Sequence, residues 1–434
     1  MNRVTNIAWR TASGSRLGGF AYRYDALGRI VSRAHDLGGA SFDRDYAYDG
    51  MDRLASDGDT AYAYDAAGNR TSRTESGETV TYSLGAGDRL ATWTGGSYRY
   101  DGAGCVTRIT RGADTWDLAW NGQYQLISVS TNGAFAEAYA YDALGRRVTT
   151  RNAVGTERHV YDDNWQVIAD LDANGGIIRS YVWGEGIDRL LAVKIGDRTY
   201  TALTDVQGTV WGYADEQGDV VAKWTYDAWG NVLSEEVADG AAELRAVRYR
   251  FQGRERSAAT GLANFRMRWY DAITGRWLSK DPIGLCGGLN LYAFCGDDPI
   301  NCADKHGCSA AVVLPGLIIA PGAGPDWHHG DRKRRNNPLP SKPPVDDPSW
   351  KRLPPWQSKY HDNGIGKPEV KYINDDGREA VYDGDTCELI TDDENGGTYN
   401  YVNPATDGDG IWSWMWRSVG HGGADMVPYW LWGN

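Results

Sequence analysis

Side chains able to do chemistry are sparse in this 434-residue chain, with seven histidines and six cysteines. His421 stands in His421-Gly422-Gly423, where a flexible backbone could present a neutral imidazole as a general base. His361, Asp362, Glu379 and Asp425 are further polar candidates in the same tail. His328-His329 lies beside Asp326 and Asp331, a donor set able to hold a metal. Loop histidines are unliganded by default, however, and no metal or other cofactor is expected. Cys286, Cys295, Cys302 and Cys308 fall within 23 residues without a Cys-x-x-Cys pair, and among histidines only His306 is near them. Buried thiols acting as small apolar groups are therefore expected in preference to a zinc site. Asp281, in Asp281-Pro282-Ile283-Gly284-Leu285, and Asp304, in Asp304-Lys305-His306-Gly307-Cys308, read on residue chemistry alone as turn formers.

The elements that must carry these groups announce themselves by repetition. Tyr24-Asp25-Ala26-Leu27-Gly28-Arg29 recurs as Tyr64-Asp65-Ala66-Ala67-Gly68-Asn69, Tyr141-Asp142-Ala143-Leu144-Gly145-Arg146 and Tyr226-Asp227-Ala228-Trp229-Gly230-Asn231. Degenerate copies start at Tyr48, Tyr82, Tyr100, Trp120 and Tyr161, so successive starts lie 16 to 24 residues apart over most of this stretch. That period means stacked supersecondary units, one β-hairpin per repeat. Tyr22, Tyr46, Tyr62, Tyr98 and Tyr139 precede a signature by two places, which puts both rings on one strand face. Asp-x-x-Gly then predicts a type I turn closed by a left-handed residue, the Asp side chain accepting a local backbone hydrogen bond. Fifty-five glycines, with 26 tyrosines and 19 tryptophans against 6 phenylalanines, suit sheets that are wet on one side.

A formal net charge of −13 makes nucleic acid and anionic membrane poor default partners. The most apolar run, 310–320, is too short for a membrane span and is broken by Pro315 and Gly316. Residues 1–10 contain no apolar stretch of signal-peptide type. Because the repeat is running by residue 20 with no cap before it, the chain is expected to lack the start of a longer protein.

At Gly261 the rhythm gives way to Arg268-Trp269-Tyr270-Asp271, Gly275-Arg276, Asp281-Pro282-Ile283-Gly284-Leu285, Asn290-Leu291-Tyr292 and Asp298-Pro299-Ile300-Asn301. Joined to the repeats, this passage resembles the core domain of Rhs/YD-repeat proteins, a family that includes polymorphic bacterial toxins and the C component of insecticidal toxin complexes. The resemblance covers about residues 20–307. It implies a β-sheet strip wound into a hollow shell, a C-terminal plug, and a following segment that is commonly a toxic domain held inside. A full shell takes many more repeats than this chain has, so it would form part of a wall. The resemblance also implies an aspartyl autoprotease, with Asp281 and Asp304 as the catalytic carboxylates and Arg268 as the arginine required beside them. Two carboxylates sharing a site cannot both stay ionised, so one keeps a proton while the other activates water. The second motif departs from Asp-Pro-x-Gly-Leu, with Lys305 for the proline and Cys308 for the leucine before the expected cut. Cleavage after Cys308 and an uncut turn both stay open.

The expected fold is mainly β: a winding antiparallel hairpin sheet, a partial Rhs shell, over 1–260 and a core plug over 261–308. A linker, apolar then Pro-rich, follows over 309–358, with the basic run Arg332-Lys333-Arg334-Arg335. A small β-rich or α+β module covers 359–434. Its Val370–Ile373, Arg378–Tyr382 and Glu388–Thr391 segments predict a three-stranded meander, followed by a tryptophan-rich tail. From residue 360 on, 14 acidic and 4 basic side chains disfavour an unassisted nuclease. The expected function is that of the C-terminal portion of a secreted or cell-surface bacterial toxin carrier. Its partners would be its own C-terminal domain as encapsulated cargo and an immunity protein. A cell-surface adhesion protein whose tyrosines contact glycans, and an inactive displaced cassette, are the alternatives.

Overall fold

A computed structural model describes residues 3–308, 311–314, 317–318, 350–352, 369–374 and 379–383. The chain divides into two compact units, Met1–Ile318 and Ile319–Asn434.

In the first unit, 23 strands from Asn6–Arg10 to Val232–Val237 form one sheet. Each strand pairs antiparallel with its sequence neighbours, so the sheet is a single meander. Among the described residues no pairing joins the first strand to the last, and the strip is open, as the sequence predicts.

The signature builds each hairpin by local chemistry. Strand Arg16–Tyr24 ends at Asp25, whose backbone N–H donates to Arg29 O at 2.9 Å and whose carbonyl accepts from Gly28 N at 3.0 Å. Asp25 Oδ1 accepts from Arg29 N at 2.9 Å. Asp65, Asp142 and Asp227 repeat this side-chain bond. Gly28 closes the turn at φ 88°, yet in four degenerate copies a side-chain residue takes the same left-handed place: Asp52, Asp88, Tyr124 and Trp165, at φ 58–62°. Those four turns carry a steric cost that glycine avoids.

The leading aromatic ties one repeat to the one before it. Tyr48 Oη donates to Ile30 O at 2.5 Å, Tyr64 to Leu54 O at 2.8 Å, Tyr161 to Arg147 O at 2.9 Å and Tyr226 to Val210 O at 2.8 Å. Trp120 and Trp183 reach Val106 O and Val167 O with Nε1, both at 2.7 Å. This is a physical reason for tyrosine and tryptophan over phenylalanine: a ring in the sheet face with a donor at its tip. The second ring, at Tyr22, Tyr46, Tyr62, Tyr98 and Tyr139, is buried.

The strip turns back so that its early strands lie against its late ones. Phe20 packs edge-on to Trp211 with ring centroids 5.4 Å apart, the Arg33 guanidinium lies 4.6 Å from the Trp211 ring, and Ala228 N donates to Asp57 Oδ2 at 2.9 Å. The inner face also holds buried ion clusters. Asp170 accepts from Tyr181 Oη (2.6 Å), Arg179 Nε (3.0 Å) and the Arg248 guanidinium (2.8 Å), and although burial pushes its carboxyl up, Arg248 and His159 hold it well below the usual range.

The chain after the wall fills this interior. Glu255–Arg256, Ala263–Phe265, Arg268–Asp271 and Arg276–Trp277 form a four-stranded antiparallel sheet. Its rings Phe265, Tyr270 and Trp277 pack with Phe294, the Tyr270–Phe294 centroids being 4.2 Å apart. This plug bonds to widely separated parts of the wall. Ile30 N donates to Asn301 Oδ1 (2.7 Å), Tyr292 Oη to Gly104 O (2.8 Å), Val106 N to Leu278 O (2.8 Å) and Tyr270 Oη to Trp229 O (2.9 Å). Cys302–Ala303 then pairs with Ala311–Leu314, which pairs with Leu317–Ile318.

In the second unit, Glu369–Asn374 and Glu379–Asp383 form the expected hairpin, and Trp350–Arg352 lies beside the former as a third strand. The segment Glu388–Thr391 and the tryptophan-rich tail lie outside the described residues.

Candidate active site

Arg268 begins a plug strand, and its guanidinium lies 4.0 Å from the Trp277 ring on the neighbouring strand. Asp281 follows that neighbouring strand in a tight turn. Its backbone N–H donates to Leu291 O at 3.0 Å, its carbonyl accepts from Gly284 N at 3.0 Å, and its Oδ1 accepts from Ile283 N at 3.0 Å. Asp304 follows the short strand Cys302–Ala303, and its Oδ1 accepts from Gly307 N at 2.7 Å and Cys308 N at 3.1 Å.

The three side chains meet on one nitrogen. An Arg268 Nη lies 2.9 Å from Asp281 Oδ2 and 3.1 Å from Asp304 Oδ2, with side-chain exposures of 3%, 7% and 2%. Arg268 Nε also donates to Gly307 O, so the arginine grips the segment leading to Cys308 as well as both carboxylates. Burial, followed by the negative charge of Asp304, pushes the Asp281 carboxyl up to about 6 against the opposing pull of Arg268. The N–H donors converging on Asp304 suit an ionised carboxylate. One carboxyl able to hold a proton beside one arranged to stay charged is the pairing that water-activating acid–base chemistry requires.

Glycines shape the edges. Gly307 adopts φ 73°, and a Cβ there would lie 2.4 Å from Phe265 O and 2.9 Å from Arg268 N. A Cβ on Gly287 would meet Asp281 Oδ2 at 2.5 Å. Cys308 is buried, as are Cys105, Cys295 and Cys302, the last three as free thiols. His421, Asp425, His361 and Asp362 lie outside the described residues, as do His328 and His329.

The departure from the Asp-Pro pattern has a structural counterpart. Lys305 is buried, with Nζ donating to Gln207 O at 2.6 Å and Gln252 O at 3.0 Å, and Asp304 keeps its place beside Arg268. Sequence reasoning did not single out Gln207 or Gln252. Each precedes a glycine in a turn, and nothing in that context signals that it faces the plug.

Residues 11–300 match the family model described as the teneurin YD-shell. The chain belongs to the teneurin YD-shell family. The matched stretch includes Arg268 and Asp281 and stops just short of Asp304. Among relatives of this YD-shell chain, the tRNA3(Ser)-specific nuclease WapA of Bacillus spizizenii is 29% identical over 256 residues, which are 57% of this chain and 11% of the relative. The double-stranded DNA deaminase toxin A of Burkholderia cenocepacia is 28% identical over 343 residues, 71% of this chain and 22% of the relative. The Photorhabdus luminescens Tc holotoxin pore, a solved structure, superposes with a TM-score of 0.59 at 20% identity over 73% of this chain and 18% of that one. That likeness is one of fold. The YD-shell chain thus spans about a tenth to a fifth of the length of these relatives, and the Rhs/YD-repeat resemblance read from its motifs holds.

Proposed function

We propose that this chain is part of a secreted toxin carrier whose plug is an aspartyl autoprotease. It cuts the chain after Cys308 and frees the residues beyond as cargo. The observation that carries the reading is the single Arg268 nitrogen within hydrogen-bond distance of two buried carboxylates, Asp281 and Asp304. Similarity to a tRNA-specific nuclease and to a double-stranded DNA deaminase toxin supports the carrier role.

In this mechanism Asp281 enters protonated and Asp304 enters ionised. Asp304 takes a proton from water as the oxygen attacks the Cys308 carbonyl carbon, and Asp281 gives its proton to the carbonyl oxygen. Collapse of the gem-diol breaks the C–N bond as Asp304 passes its proton to the leaving nitrogen and one hydroxyl of the diol returns a proton to Asp281, which restores both carboxyls to their starting states. Arg268 fixes both carboxyls and steadies whichever is charged. The buried second tyrosines lend little support to the glycan-contact alternative, because Tyr22, Tyr46, Tyr62, Tyr98 and Tyr139 present almost no surface.

Intact-mass measurement of the purified chain tests the proposal. A product ending at Cys308, absent from Asp281→Asn and Asp304→Asn, is expected, and a single uncut wild-type chain would sink it. In chain refolded from denaturant, the initial cutting rate should fall as pH rises through about 6, where Asp281 loses its proton.

A further inference from the structure

We infer that Lys305 is a positioning residue for the carboxylate pair, acting through a clasp formed by wall residues Gln207 and Gln252; the inference rests on the autoprotease reading above. Asp304 lies between two points held by the same two glutamines. After it, Lys305 Nζ donates to the backbone oxygens of Gln207 (2.6 Å) and Gln252 (3.0 Å). Before it, Gln207 Nε2 donates to Pro299 O (2.8 Å), Ile300 O (3.0 Å) and Cys302 O (3.1 Å), and Gln252 Nε2 donates to Cys302 O (3.0 Å).

The clasp is itself fixed. Asp205 Oδ1 accepts from Gln207 N and Thr209 N, each at 2.9 Å, and Thr209 Oγ1 accepts from Gln252 N at 2.9 Å. Gly208 and Gly253 let these turns close in, since a Cβ on either would come within 2.7 Å of Asp188 O. The ammonium is compensated: Asp188 and Asp205 favour its charge, while Arg254 and Arg266 oppose it. Burial pulls Lys305 down to about 8, so it is largely charged at neutral pH.

Proline in the Asp-Pro pattern stiffens the chain after the aspartate by fixing φ. Lysine does not, and here a charge-assisted anchor does the stiffening instead. With the backbone held at Cys302 and the Lys305 side chain held three residues later, the Asp304 carboxylate is kept where it meets Arg268 at 3.1 Å.

The test uses the full chain in two backgrounds. In the uncut Asp281→Asn chain, Lys305→Met should raise hydrogen exchange at the Gly307 and Cys308 amides about tenfold, the size expected for one lost charge-assisted bond. Protection in the distant strand Leu126–Thr131 should stay unchanged. Lys305→Gln, which keeps a donor without the charge, should fall between. In the cleavable chain, Lys305→Met should slow the appearance of the Cys308-ending product by a similar factor. Unchanged exchange at Gly307 and Cys308 would overturn the inference whatever happens to cutting, and so would a uniform rise across the wall, which marks a general stability role. A wild-type chain that never cuts, while Lys305→Met still shows the local rise, ends the autoprotease reading and leaves the anchor standing.

Discussion

Arg268 is a cation stacked on a ring that shares one nitrogen between two carboxylates and holds Gly307 O with another, and these surroundings make it hard to replace. Arg268→Ala would leave two carboxyls facing each other in a buried site without their cation. A loss of about 3–5 kcal/mol in unfolding free energy is expected, measurable by urea titration, together with no Cys308-ending product. Arg268→Lys restores the charge but not the fork that also reaches Gly307 O, so it should recover stability better than cutting. Gly307→Ala tests the backbone side of the same site. With φ 73° and a Cβ driven to 2.4 Å from Phe265 O, it should cost on the order of 1–3 kcal/mol. Motif resemblance made Arg268, Asp281 and Asp304 nameable from sequence. The role of Lys305 was not legible, because a lysine beside an aspartate reads as a solvated surface residue until the wall closes over it.

At the scale of the hairpin, sequence carries most of the information. Tyr-Asp-x-x-Gly states where a strand stops, which side chain caps the turn and which residue goes left-handed, since each depends on residues at most four apart. What it leaves out depends on the preceding repeat. The hydroxyl of Tyr161 has its acceptor at Arg147 O, 14 residues back, and no local pattern points there. Tyr161→Phe keeps the ring and deletes that bond, so a loss of about 1 kcal/mol is expected in urea unfolding. The left-handed Trp165 and Tyr124 were likewise invisible, because tertiary packing overrides the preference for glycine at those turns.

The whole first unit should respond to pH through its buried plug carboxyl groups. Burial pushes Asp297 up to about 7, and Asp281 and Asp298 to about 6. A carboxyl raised above its unfolded value contributes stability that is present below the unfolded pKa and lost as pH rises through the folded one. Buried His35, His159 and His306, all lowered first by burial, work in the opposite direction, because the unfolded imidazole is still losing its proton as pH rises past about 6.5. Asp297 is therefore read from the difference between two chains across pH 6.5 to 7.5. Stability of the uncut Asp304→Asn chain should rise less, or fall more, with pH over that interval than that of the chain that also carries Asp297→Asn. Equal slopes with and without Asp297 would refute the assignment.

Because all 23 wall strands pair with their immediate neighbours in sequence, the wall can zip up hairpin by hairpin as the chain is made, each closure involving only a short loop. The plug differs, since its contacts reach back to Ile30, Gly104, Gln207 and Trp229. Arg268, Asp281 and Asp304 therefore gather only once the wall exists. Under the proposed autoprotease reading, self-cleavage in a nascent chain becomes a completion signal: a molecule whose wall has misassembled should keep its tail attached.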